Sequence, residues 1–87
     1  MYIVYILRSE RDGKLYIGQT DNLQNRLKQH QFGEVKSTKH RLPVELIYIE
    51  GYRSRILALT REKKLKDFKS AYREVKKRIF HAREGGG

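Results

Sequence analysis

Apolar residues fall into two periods along the chain, and the switches between them set the element order. Tyr2-Ile3-Val4-Tyr5-Ile6-Leu7 is uninterruptedly β-branched, aromatic or aliphatic, which predicts a central strand covered on both faces. Asp12-Gly13 offers a turn that tolerates positive φ, and Lys14-Leu15-Tyr16-Ile17-Gly18 follows, so the two segments read as a β-hairpin with a loop of two residues or more. Thr20, Asp21 and Asn22 are successive N-cap candidates, and Leu23 and Leu27 follow at helical spacing, predicting a short helix to about His30. Residues 31–42 have no clean period and read as a basic loop before Pro43, the only proline. Val44 to Glu50 supplies a third strand, closed by Gly51. Ser54 can cap a helix striped by Ala58, Leu59, Leu65 and Phe68, and Ser70 another carrying Tyr72, Val75 and Ile79. The expected order is β-β-α-β-α-α, an α/β domain of the α+β type over residues 1–82, with a disordered tail over 83–87.

Composition narrows the function. A chain of 87 residues supports a single core, and with no cysteine it has neither a disulfide framework nor a thiolate metal site. The longest apolar run has six residues and no basic segment ahead of it, so no membrane span or signal peptide is expected, and the sequence reads as a soluble cytoplasmic protein with nucleoid association open to it. The net charge is +10 and unevenly laid out: residues 1–52 hold eight Lys/Arg and six Asp/Glu, net +2, whereas residues 53–87 hold twelve and four, net +8. Such a charge attracts polyanions; nucleic acid is the commonest, and an acidic membrane surface or an acidic protein gives the same signal.

Three sets of residues could carry chemistry. Glu62 lies four residues after Ala58 and three before Leu65, inside the apolar stripe of its helix, so its carboxylate is expected to point toward the body. There it either pairs with Lys66 at i+4 or helps to hold a hard dication such as Mg²⁺. Arg26 and His30, also i, i+4, share a helix face beside the sheet; they are either solvated or able to steady phosphoryl oxygens and move a proton. Tyr5 and Tyr16 fall on the two hairpin strands as cross-strand neighbours on one face, whereas Tyr2 and Tyr48 read as packing residues. His40 and His81 lack metal-ligand spacing and read as solvent or polyanion contacts.

Taken together, Ile3-Val4-Tyr5, eleven positions on to Tyr16-Ile17-Gly18, then Leu23-x2-Arg26-x3-His30 and a later helical Glu62, resemble the GIY-YIG nuclease superfamily. The likeness runs from Tyr2 to about Ile79 and is strongest to its small stand-alone bacterial branch. It implies a three-stranded antiparallel sheet flanked by helices and a phosphodiester hydrolase using one divalent metal, Mg²⁺ or Mn²⁺. By that resemblance Tyr5 and Tyr16 are the two family tyrosines, one of which helps to deprotonate the attacking water. Arg26 steadies the phosphoryl group, His30 stands near the tyrosines, Glu62 ligates the metal, and Gly18 permits close backbone packing. The implied partner is DNA, held through its phosphates by Lys14, Lys36, Lys39, Arg41, Lys63, Lys66, Lys69, Arg73 and Lys76 with low sequence specificity, and the implied setting is DNA repair or recombination. RNA stays open as a substrate. The chain departs from the pattern at Ile3, where the first motif has glycine, at Gln19, where a basic residue often follows the second motif, and in lacking a matching asparagine after the glutamate helix. The alternatives are a nucleic-acid-binding module of the same fold without turnover and a basic protein-interaction domain such as a ribosome-associated factor.

Overall fold

β1 (Tyr2–Ser9) is the middle strand of a three-stranded antiparallel sheet of order β2-β1-β3, with β2 at Leu15–Thr20 and β3 at Val44–Tyr52. The computed structural model describes residues 1–85, with side chains described through Phe80. Helix α1 (Leu23–Gln31) follows β2, a 3₁₀ turn occupies Lys39–Arg41, and α2 (Arg55–Asp67) and α3 (Lys69–Gly85) follow β3. The order β-β-α-β-α-α agrees with the periodic reading. The expected tail over 83–87 overlaps the end of α3 at Gly85, and Gly86 and Gly87 lie outside the described residues. No helix among the described residues is long and apolar enough to cross a membrane.

Local chemistry places the ends. Gly13 closes the hairpin at φ +73°, where only glycine is unstrained, and the Lys14 N–H donates to Asp12 Oδ1 at 2.9 Å. Of the three cap candidates before α1, Asn22 takes the role, accepting from the Asn25 N–H at 3.0 Å, and Ser54 accepts from the Ile56 and Leu57 N–H groups at the start of α2.

Alternation along the strands divides the sheet into two faces. On one, Val4, Ile6 and Ile17 pack with Ala58 and Leu65 of α2 and Val75 and Ile79 of α3, and this cluster is the main core. The other face carries Tyr5, Leu7, Ser9, Tyr16 and Gly18 and meets α1 and the segment that follows it. Two details of the stripe reading do not hold: Leu59 is 41% exposed, and Phe68 caps the C-terminus of α2 at 59% exposure. Residues 31–42 are also more ordered than a basic loop, since Val35 and Thr38 are buried.

β3 is fastened to both C-terminal helices by Glu50. Its carboxylate accepts from Arg61 Nε at 2.8 Å and Nη2 at 3.1 Å, from Tyr48 Oη at 2.6 Å and from Tyr52 Oη at 2.7 Å, and Arg78 of α3 approaches to 4.0 Å. Burial alone would raise the Glu50 pKa, but the bonds from Arg61, Tyr48 and Tyr52 outweigh it and hold it at about 2. A carboxylate depressed from its ordinary 4.5 in this way contributes stability above pH 4.5 that is lost as the pH falls through 2. Glu50→Gln is expected to cost about 2 kcal/mol at pH 7 and to flatten the acid limb of a stability profile taken by circular dichroism; a variant as stable and as acid-sensitive as the wild type would contradict this role.

Candidate active site

The tyrosine face gathers side chains from three segments. In the β1–β2 register Tyr5 lies opposite Gly18 and Tyr16 opposite Leu7, so the two tyrosines are diagonal neighbours on one face, with ring centroids 6.2 Å apart. His30 from the last turn of α1 completes the group, its ring 5.7 Å from Tyr5 and 5.1 Å from Tyr16, both edge-on. Gly18 is what lets the group close. A Cβ there would lie 2.5 Å from Tyr5 Cζ and Oη and 3.0 Å from a Tyr16 ring carbon, so the close approach is to these two side chains and not, as expected from the sequence, to the helix backbone.

Tyr5 and His30 are fully buried, and a chain of hydrogen bonds satisfies them. Thr38 Oγ1 lies 3.5 Å from the Val35 carbonyl, to which it donates, and 2.7 Å from His30 Nδ1. That direction makes Nδ1–H the donor to Thr38 and leaves Nε2 to accept the Tyr5 hydroxyl at 2.9 Å. Burial, helped by the Arg26 charge, pushes the His30 pKa down to about 4, so the imidazole is neutral at pH 7 and suited to this acceptor role. Burial pushes the Tyr5 phenol up to about 12, against the pull of the Arg26 guanidinium.

Thr38 carried no signal in the sequence, because it sits in an aperiodic segment and acquires its role only when that segment folds back. The fold-back is pinned at β1: buried Ser9 donates to the Arg41 carbonyl at 2.7 Å, and the Glu10 N–H donates to the Pro43 carbonyl at 2.9 Å.

Arg26 stands one turn before His30, half-buried, and its charge acts on both Tyr5 and Tyr16. Its Nη1 donates to Gln29 Oε1 at 2.9 Å, which aims the guanidinium. It also lines a polar cleft of about 390 Å³ shared with Tyr2, Gln19, Asn22, Asn25 and Arg55. Arg55 was not among the sequence candidates, although its spacing of seven residues from Glu62 puts both on one side of α2.

Glu62 comes from the other face of the sheet. It lies within the stripe defined by buried Ala58 and Leu65, and its side chain is 20% exposed. Arg61, on one flank of that stripe, reaches Glu50 of β3; Glu62 therefore occupies the opposite flank, toward β2. Arg55, one α2 residue on the same side of the helix, lines the cleft with Arg26 and with Gln19 and Thr20 of β2, and Glu62 lies outside that lining. The Glu62 carboxylate accepts from Lys66 Nζ at 3.3 Å through Oε2, the i+4 pairing weighed from the sequence. Among the described residues there is no group of three His, Cys, Asp or Glu side chains able to hold a metal ion. A single carboxylate such as Glu62 suits a hard dication only where waters and substrate oxygens complete the shell.

The basic candidates separate spatially. Lys66, Lys69, Arg73 and Lys76 line the surface where α2 meets α3, Lys14 and Arg41 flank the hairpin turn, and Lys36, Lys39 and Lys63 are exposed. Exposed His40 offers its carbonyl to Arg11 Nη1 at 3.2 Å, and the His81 side chain lies outside the described residues.

Two outcomes follow. In an NMR titration His30 stays neutral down to about pH 5, and because its folded pKa lies below the unfolded 6.5, its contribution to stability is complete above pH 6.5 and lost as the pH falls toward 4; a His30 titrating near 6.5 would contradict the buried chain. Gly18→Ala displaces Tyr5 from His30 and is expected to cost on the order of 1–3 kcal/mol; a crystal structure of that variant with the Tyr5–His30 bond intact would refute the close-approach account.

Comparison with known proteins places the chain in a family. A family model described as the GIY-YIG catalytic domain matches residues 1–78. A UPF0213 protein of Natronomonas pharaonis is 39% identical over 74 residues, 84% of this chain and 86% of that protein, and one of Bacillus licheniformis is 44% identical over 79 residues, 85% and 80% of the two chains. The solution NMR structure of a UPF0213 protein from Bacillus halodurans superimposes with a TM-score of 0.53 at 32% identity, covering 85% of this chain and 80% of that one. The chain belongs to the GIY-YIG catalytic domain family, a nuclease-type family, as a small UPF0213-like member.

Proposed function

We infer that the protein is a divalent-metal-dependent endonuclease that hydrolyses phosphodiester bonds in DNA with low sequence specificity, in a repair or recombination setting. The observation that carries this reading is the convergence of Tyr5, Tyr16, His30 and Arg26 beside a polar cleft at the open edge of β2. A purely structural tyrosine pair does not require a charged guanidinium next to it in a half-buried site.

The division of labour follows from exposure and hydrogen bonding. Tyr5 is fully buried and its hydroxyl proton is committed to His30, so it positions the site. Tyr16 is only half-buried and is the phenol that meets the attacking water. A phenol acts on an attacking water more readily when positive charge stands beside its oxygen. Arg26 supplies that charge and also faces the phosphoryl oxygens, whose charge grows in the transition state. Glu62 would hold the dication, Mg²⁺ or Mn²⁺, which supplies charge neutralisation at the leaving oxygen. Arg55 places a second guanidinium in the Arg26 cleft, on the side where Gln19 leaves the phosphate site without its own cation.

Cleavage of labelled single-stranded, duplex, flap and branched DNA with Mg²⁺ or Mn²⁺ tests the reading. Glu62→Ala is expected to abolish cleavage and Tyr16→Phe to slow it by about 10²–10⁴-fold, both with unchanged circular dichroism and DNA affinity. Undiminished cleavage by Glu62→Ala would refute the assignment; a folded wild type that binds DNA and cleaves no form of it would make the fold a binding module.

A further inference from the structure

A sizeable concave surface lies away from the tyrosine cluster. It is a groove of about 650 Å³ between α2 and α3, floored by Leu65 and Tyr72 and rimmed by Lys66, Lys69, Arg73, Lys76 and Phe80. Residues 69, 72, 73, 76 and 80 fall at helical spacing on one side of α3, so the fold presents them as a single strip. Its composition is unusual for a solvated surface: the lining includes cations and two aromatic rings but no acidic residue.

Within the groove the two rings differ. Tyr72 packs against the core, and Lys76 Nζ stands 5.4 Å from its ring centroid, so one of its faces is already used. Phe80 is 38% exposed and packs on the rim, an exposed ring that costs free energy in water and has no structural task in the main core. The groove also continues: a second cavity of about 450 Å³ shares Tyr72, Lys76 and Phe80 with it and carries the surface past Gly13 and Lys14 of the hairpin turn to Arg41. The result is a cationic track that runs from the C-terminal helices around the hairpin tip to the segment that holds Thr38.

We propose that this track binds single-stranded nucleic acid, with a base stacked on Phe80 and the phosphates following Lys69, Arg73 and Lys76 toward Lys14 and Arg41. Cations alone would suit any polyanion, but an exposed ring set among them suits one whose flat apolar faces are free. Bases in a duplex are stacked on each other and present no such face, whereas an unpaired strand does. The proposal deepens the nuclease reading by naming the strand form the protein holds, and it rests on that reading only for its biological purpose; the binding itself needs neither metal nor turnover.

The test is therefore made in EDTA, where failure of cleavage cannot affect it. The chain contains no tryptophan, so Phe80→Trp introduces a single indole at the stacking position. Its fluorescence is expected to be quenched on adding a 12-residue oligothymidylate and unaffected by a blunt duplex of equal length. Phe80→Ala is expected to weaken binding of the single strand by about tenfold and leave duplex binding unchanged, and Lys76→Ala to lower the salt slope for the single strand by about 0.7. An indole that does not respond to the oligothymidylate, equal loss of single-strand and duplex affinity in Phe80→Ala, or a response only to phosphatidylserine vesicles would each overturn the proposal, the last in favour of a membrane surface.

Discussion

The site depends on one buried hydrogen-bond chain, Val35 carbonyl to Thr38 to His30 to Tyr5. Polar groups buried this completely are tolerable only when each has its partner, and no buried side-chain nitrogen or oxygen among the described residues lacks one. The chain therefore constrains four things together. The segment after α1 must fold back over the sheet, α1 must present its last turn to β1, position 18 must stay without a side chain, and Tyr5 must keep its proton. The first three are each met by a separate local device: Ser9 and Glu10 pin the returning segment, Asn22 starts α1, and Gly18 faces the phenols.

The same arrangement explains why the two tyrosines are not equivalent. Both lie on one face of the hairpin and against the imidazole, yet the Tyr5 hydroxyl is hydrogen-bonded to it and Tyr16 keeps contact with the surface. A pKa of about 12 makes Tyr5 a poor base and a good fixed donor. The polar cleft also depends on the sheet being narrow. With β2 at the edge, side chains from α1 on one face and α2 on the other converge around a single strand, which a wider sheet would prevent.

Much of this was legible in the chain. Period-two alternation placed Tyr5 and Tyr16 on one face, the apolar stripe around Ala58 and Leu65 turned Glu62 inward, and Ser54 and Asn22 marked helix starts, because these features depend on neighbours close in sequence. Thr38 was not legible, since its partner lies eight residues away across a segment without a period. The exposure of Leu59 and Phe68 was missed because a stripe drawn from four residues is wider than the strip of sheet that α2 covers. Nor could the sequence show that Glu50 binds Tyr48, Tyr52 and Arg61 at once, or that Ile47 is the extra residue of a bulge opposite Ile6 and Leu7. Those are tertiary facts, and the family resemblance supplied the roles that spacing alone left open.

In the proposed reaction the phosphate lies at the edge of β2, beside Arg26 and Tyr16. The most direct measurement is a crystal structure of the protein with Ca²⁺ and a short single-stranded DNA, since a non-catalytic dication keeps the substrate intact. A phosphate within hydrogen-bond reach of Arg26 and Tyr16 is expected, with the ion in contact with Glu62 and the Tyr5–His30–Thr38 chain unchanged. DNA bound with no phosphate near Tyr16, or an ion held without Glu62, would contradict the proposed reaction.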